Sequence, residues 1–150
     1  DKRFNDCNIH LYMVITGKGP MRAIYERKLD FEPFDHIQVV MLFLEHHEYR
    51  NLIGCADVGI SLHESTSGLD LPMKILDMFG AGLPVAAKNY TCIGELVDSE
   101  NGVIFDTAEE LFHILYTTPL ERWKRLKNTI PYHTTFINDW HTHFADMMMA

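Results

Sequence analysis

Five short apolar runs, each followed by polar or turn-forming residues and then by a stretch of helical periodicity, constrain this chain more than any other feature. They are 9–16 (IHLYMVIT), 37–43 (IQVVMLF), 57–62 (DVGISL), 84–87 (PVAA) and 102–105 (GVIF). Continuous apolar runs of this length, the first two rich in β-branched residues, suit strands buried on both faces of a parallel sheet. Between them the pattern predicts helices near 21–29, with Ala23, Ile24 and Tyr25 facing inward, and near 48–55, 71–79 and 93–97. Thr107 is expected to cap a helix reaching about 116, with Glu109 and Glu110 in the first turn where the dipole favours acids. Another helix follows Pro119 and stops before Pro131, and an amphipathic segment spans about 138–148. Strands alternating with helices at this spacing indicate βαβ units. The expected fold class is therefore α/β: a doubly wound, mostly parallel sheet with helices on both faces. In such sheets ligands lie outside the carboxyl ends of the strands, at a topological switch point.

A chain of 150 residues, 47% of them hydrophobic, is long enough for one domain with a sizeable core and too short for two ordinary ones, so residues 1–150 are read as one domain. The formal charge of -8 argues against a nucleic-acid partner, whose affinity would rest on a basic surface. Any bound phosphate must then be held by local donors rather than by the overall field. Cys7, Cys55 and Cys92 are odd in number and lack metal spacing, which suits reduced thiols in a cytosol-facing protein. No stretch approaches the length of a bilayer span, and no basic-then-apolar signal pattern opens the chain. The sequence starts at Asp1 without a Met and is expected to be a soluble fragment of a longer protein, any membrane anchor lying elsewhere.

Residues 65–85 read as a polar loop, a capped helix and a buried strand in immediate succession. Asp70 is a good N-cap, Pro72 suits the first turn, and Gly80 and Gly82 end the helix before the strand. Lys74 and Asp77, three residues apart, share one helix face. A cation near the loop can meet phosphate, and a carboxylate one turn later can accept hydrogen bonds from ribose hydroxyls. The plainer alternative is an amphipathic surface helix with both side chains solvated.

Other loops follow predicted strands. Gly17, Lys18 and Gly19 leave the first strand, and two glycines with a helix start beyond them can approach an anion closely. The loop lacks the pattern of a P-loop or a full dinucleotide fingerprint, so taken alone it reads better as a plain turn. Leu44 ends the second strand, where main-chain groups can read a base edge, with Glu45 or Tyr49 lining its pocket; the alternative is an ordinary helix start. His63, Glu64, Ser67 and Gly68 offer donors for a diphosphate, and His63 beside Glu64 invites acid-base chemistry, although a simple polar loop fits as well. His46-His47 and His141-Thr142-His143 lack the third ligand and spacing of a zinc site, so no metal is expected. Trp140 and Met147–Met149 suit a terminal helix that packs on a neighbouring domain.

Taken together, Thr16-Gly17-Lys18-Gly19-Pro20, residues 56–63 (ADVGISLH), and Ser67-Gly68-Leu69-Asp70-Leu71-Pro72-Met73-Lys74 through Pro84-Val85 resemble the C-terminal half of GT-B glycosyltransferases. The likeness is greatest to the β-mannosyltransferases that build the lipid-linked oligosaccharide of N-glycosylation, and residues 95–97 and 100–105 continue it. The resemblance implies a Rossmann-like half that binds a nucleotide sugar, GDP-mannose, without cofactor or metal. By motif position it implies Gly17, Lys18 and Gly19 at the diphosphate, Ser67 and Gly68 at the phosphates or donor sugar, Lys74 at phosphate and Asp77 at the ribose. Asp77 stands where related families carry Glu, and Leu69 stands where many retaining relatives carry another Glu, a departure that agrees with an inverting transfer. The implied acceptor is GlcNAc2-diphosphate-dolichol at the cytosolic face of the endoplasmic reticulum membrane, bound through an N-terminal domain that this sequence lacks. No catalytic base is assigned. Two other readings stay open: a retaining enzyme of the same architecture with another nucleotide sugar, and a catalytically silent binding subunit.

Overall fold

The computed structural model of the chain describes residues 10–31, 34–64 and 67–130. The expectations for Ile9, Ser65, Thr66, the stop at Pro131, Trp140, the His141 and His143 pair and the terminal methionines fall outside those residues. The chain divides into two compact units, Asp1–Tyr49 and Arg50–Ala150, with the boundary inside a helix.

In the first unit, β1 (Leu11–Thr16) and β2 (Ile37–Leu42) pair in parallel, Leu11 opposite Ile37 and Thr16 opposite Leu42. The helix α1 (Arg22–Phe31) lies between them in sequence, as a parallel pair requires of its crossover. The expected inward face of this helix is corrected: Ala23, Ile24 and Tyr25 are exposed, and Arg22, Glu26 and Leu29 are the half-buried positions. Arg22 explains the rotation, since its guanidinium donates to Glu26 Oε1 at 2.7 Å and to the Met41 carbonyl at 3.1 Å. A polar anchor to the backbone of β2 turns the helix away from its apolar side. The expectation that β1 is buried on both faces also fails, because Tyr12, Val14 and Ile15 are exposed. Two strands with so few helices cannot supply a layer for both faces.

The second unit opens with the end of α2 (His46–Cys55) and then builds a three-stranded parallel ladder in the order β3 (Gly59–Ser61), β4 (Val85–Lys88), β5 (Gly102–Phe105). Helix α3 (Met73–Gly80) joins the first pair, and a short 3-10 turn at Ile93–Glu95 joins the second. The α/β class with parallel strands is thus borne out, in two ladders. Strand β4 is central and its Val85, Ala86 and Ala87 are fully buried; Val85 and Ala87 meet Ile75 of α3 and Ile93 and Val97 of the turn that follows. Helices α4 (Ala108–Thr117) and α5 (Leu120–Thr129) follow, α5 burying Trp123 and Leu126. Thr107 caps α4 as its sequence position suggests, its hydroxyl accepting from the Glu110 amide at 3.1 Å. Lys127 of α5 donates to the Gly54 and Ala56 carbonyls at 2.8 and 3.1 Å, satisfying acceptors where α2 ends.

The end of α3 is set by a Schellman motif. Gly82 adopts φ +70°, the Leu83 amide donates to the Met78 carbonyl and the Gly82 amide to the Phe79 carbonyl, both at 2.8 Å. Gly80 lies within the last turn, so Gly82 is the glycine that ends the helix. Two close approaches then lock the ladder. A Cβ at Gly59 would strike the Met78 sulfur, and a Cβ at Gly102 would sit 2.5 Å from the Val85 carbonyl and 2.9 Å from Val97 Cγ1. Met78 is a flexible side chain that can give way, whereas Val85 contributes backbone of the central strand. Gly102→Ala is accordingly expected to destabilise the unit by roughly 1–3 kcal/mol, in the range of overpacking effects. Gly59→Ala should cost less. Urea unfolding of both variants checks the order, and equal midpoints would contradict it.

Candidate functional site

Because β3, β4 and β5 are parallel, their carboxyl ends share one edge, and residues 62–64, 89–92 and 106–107 leave the ladder there, with 67–72 leading into the next helix. Polar contacts knit these segments together. Asn89 Nδ2 donates to Asp106 Oδ1 at 2.8 Å, joining the segments after β4 and β5. Lys88 Nζ and Glu64 Oε1 form an ion pair at 3.1 Å, and the Tyr90 hydroxyl donates to the Asp70 carbonyl at 2.9 Å, joining the segments after β3 and β4. The Cys92 thiol also lies 3.7 Å from the Asp70 carbonyl.

Asp70 is the hub of this edge, and its expected role as N-cap of α3 is corrected. The N-cap position is occupied by Pro72, with no side-chain cap hydrogen bond. The Asp70 carboxylate instead accepts from the Ser67 hydroxyl at 3.1 Å and bonds His63 Nε2 at 2.9 Å. Asp70 lies two residues outside the cap position, too far back to serve the first-turn amides, and it is drawn to the preceding loop. Among the described residues the first turn of α3 has no side-chain acceptor, its Ile75 amide donating to the Pro72 carbonyl at 3.0 Å, and a helix start of this kind can receive an anion. His63 pairs with Asp70 and Glu64 with Lys88, so the adjacent His and Glu serve different partners.

The residues singled out by sequence occupy both units. In the first, Gly17 follows β1 with φ +147° and its amide donates to the Leu42 carbonyl at 3.0 Å. Lys18 Nζ lies 3.6 Å from the centroid of the Phe43 ring, a cation–π contact, and the Gly19 carbonyl accepts from the Arg22 amide at 3.1 Å. Leu44 is half-buried just beyond β2. In the second unit Ser67 and Gly68, the latter at φ +74°, lie in the loop before α3. Lys74 and Asp77 are both exposed and three apart on α3, on the side away from the fully buried Ile75. Among the described residues neither enters an ion pair. Ser67 and Gly68 thus precede α3 in the chain, and Lys74 and Asp77 lie on it. The structure adds Asp70 as an organiser rather than a cap, together with Tyr90, which lies twenty residues further along the chain. Only the position of Tyr90 two residues past a strand end hinted at it in the sequence.

A cleft of about 440 Å³ lies in the first unit at the amino-terminal end of β1 and β2. Its lining includes Leu29 and Asp30 from the last turns of α1, together with Asp35. Helix carbonyl ends and two acids disfavour a phosphate there, so the glycine-bearing loops carry the better claim to an anionic ligand. Among the described residues no group of three or more His, Cys, Asp or Glu side chains converges on a common point, and no helix is long and apolar enough to cross a membrane.

No known family profile matches the chain. Individual proteins do. It is 54% identical over 102 residues to chitobiosyldiphosphodolichol beta-mannosyltransferase of Homo sapiens, a match covering 67% of this chain and 22% of that protein. It is 48% identical over 103 residues to the UDP-glycosyltransferase TURAN of Arabidopsis thaliana, covering 68% of this chain and 22% of that protein. The chitobiosyldiphosphodolichol beta-mannosyltransferase of Eremothecium gossypii is 38% identical over 149 residues, 97% of this chain and 31% of that protein. The likeness read from the motifs is thus borne out, in the C-terminal portion of these proteins. The chain spans less than a third of the length of the curated relatives it matches.

Desolvation raises the pKa of the Tyr90 hydroxyl, with Cys92 and Asp70 nearby adding to the shift. A folded-state pKa above the unfolded value stabilises the fold below the unfolded pKa of about 10, and this contribution is lost as pH rises through the folded value. Thermal unfolding should therefore show an alkaline loss of stability that Tyr90→Phe diminishes. The same variant should cost only about 0.5 kcal/mol at neutral pH, where one partly exposed hydrogen bond is removed. An unchanged alkaline limb in the variant would assign it to other groups.

Proposed function

We infer that this chain belongs with the chitobiosyldiphosphodolichol beta-mannosyltransferases and forms the donor-binding part of an enzyme that transfers mannose from GDP-mannose, with inversion, to GlcNAc2-diphosphate-dolichol. One observation carries the donor role: the α3 start has no side-chain cap, while Lys74 and Asp77 stand exposed on its first two turns, which follow the Ser67–Gly68 segment in the chain. Free amides and an ammonium suit a pyrophosphate, and the carboxylate suits the paired hydroxyls of a ribose. The relatives' names supply the transferred sugar and the lipid-linked acceptor. Inversion is supported by Leu69, an apolar and exposed residue eight positions before Asp77, where many retaining relatives carry a second acid.

In this reading the chain's contribution to the reaction is to hold the nucleotide and to stabilise the negative charge that builds on the departing diphosphate. Lys74 and the α3 amides do this electrostatically. The acceptor hydroxyl must lose a proton to a base, and the acceptor is bound by the part of the enzyme that lies outside this chain. The longer protein works at the cytosolic face of the endoplasmic reticulum membrane, where its lipid acceptor resides. A uridine donor is the second reading, favoured by the UDP in the name of the Arabidopsis relative.

Calorimetric titration of the chain with GDP, UDP and ADP separates the two: GDP binding tightest supports the mannosyl donor, and UDP binding tightest overturns it. Lys74→Ala and Asp77→Ala should each weaken GDP binding by roughly 1–3 kcal/mol, the cost of a lost charge-assisted hydrogen bond. Wild-type affinity in both variants would remove them from the site.

A further inference from the structure

We propose that His63 reads a hydroxyl of the donor's sugar, acting as a hydrogen-bond acceptor whose tautomer is set by Asp70. The assignment rests on the nucleotide-sugar reading above and deepens it. His63 Nε2 lies 2.9 Å from Asp70 Oδ2. A carboxylate has no proton to give, so Nε2 carries the hydrogen of this bond and Nδ1 of the neutral ring keeps its lone pair. Among the described residues no partner meets Nδ1, and the side chain is 36% exposed.

Asp70 is held firmly enough to impose this orientation. Its second carboxylate oxygen takes the Ser67 hydroxyl, and its carbonyl takes the Tyr90 hydroxyl. The Tyr90 ring meets the imidazole edge-on, with centroids 5.9 Å apart and planes at 66°. The His63–Asp70 pair is itself partly exposed, so it adds little to stability. Its value lies in presenting a lone pair at the carboxyl edge of the β3–β5 ladder.

The ligand class follows from the sign of that group. Phosphate oxygens are acceptors and repel a nitrogen lone pair; they are matched by the α3 amides and Lys74. A hexose presents hydroxyl donors and no charge. Among the described residues of this loop His63 is thus a polar group suited to the sugar, and Asp70 is a positioning residue that acts through it.

The test is calorimetric titration of the chain and of His63→Ala with GDP and with GDP-mannose. The proposal expects His63→Ala to bind GDP as the wild type does and GDP-mannose about five- to tenfold more weakly, the loss of one neutral hydrogen bond. Unchanged GDP affinity also reports that the variant is folded. Nitrogen NMR of the His63 ring should show protonated Nε2 and bare Nδ1 in the wild type, with that bias lost in Asp70→Asn. Equal weakening toward both ligands would place His63 at the diphosphate and overturn the sugar assignment. No change toward either, or a ring protonated at Nδ1 in the wild type, would overturn it too and leave the pair as a loop clasp. A wild type that binds neither ligand would instead overturn the nucleotide-sugar reading itself.

Discussion

The common direction of β3, β4 and β5 is the constraint from which the rest of the second unit follows. Parallel pairing requires each connection to return to the opposite edge, so all three strands end, and their polar segments begin, on the same side. The central strand can be fully buried only because small residues and a glycine let its neighbours close on it. Ala86 and Ala87 add little bulk, and Gly102 brings β5 against the Val85 carbonyl. Once that edge exists, groups far apart in sequence meet: Asn89 with Asp106, Lys88 with Glu64, and Tyr90 with Asp70.

Asp70 shows how one residue's choice of partner shapes a site. An aspartate directly before a helix ordinarily answers the helix amides. Here Pro72 takes the cap position, and the carboxylate turns to Ser67 and His63. The loop gains order and the helix start keeps its unmet donors, so rigidity and binding capacity arise from the same substitution of partners. The Schellman motif at the other end of α3 makes the helix short and aims its successor directly into β4.

Much of this organisation was legible in the chain. The order of strands and helices, the Thr107 cap and the glycine stop after α3 follow from local rules that involve only a few neighbouring residues, and the structure keeps them. The failures share a cause. Ala23, Ile24 and Tyr25 were expected inside because they are apolar, but the rotation of α1 is set by Arg22 reaching the Met41 carbonyl nineteen residues away. The burial of β1 was expected from its composition, yet burial depends on how many layers surround a strand. Likewise Asp70 looks like a cap until the hydroxyl of Tyr90 and the ring of His63 are placed beside it.

The sequence by itself determined the α/β class, the positions of the turns and the candidate residues Ser67, Gly68, Lys74 and Asp77, because periodicity, capping and backbone freedom are local properties. Tertiary structure alone decided which face of each helix turns inward, that Asp70 clasps a loop instead of capping α3, and that Tyr90 joins the same edge. The rotation of α1 and the placement of Tyr90 depend on contacts nineteen and twenty residues apart, and the clasp on which of several loop and helix partners the Asp70 carboxylate meets; no local pattern records which donor will reach a given acceptor.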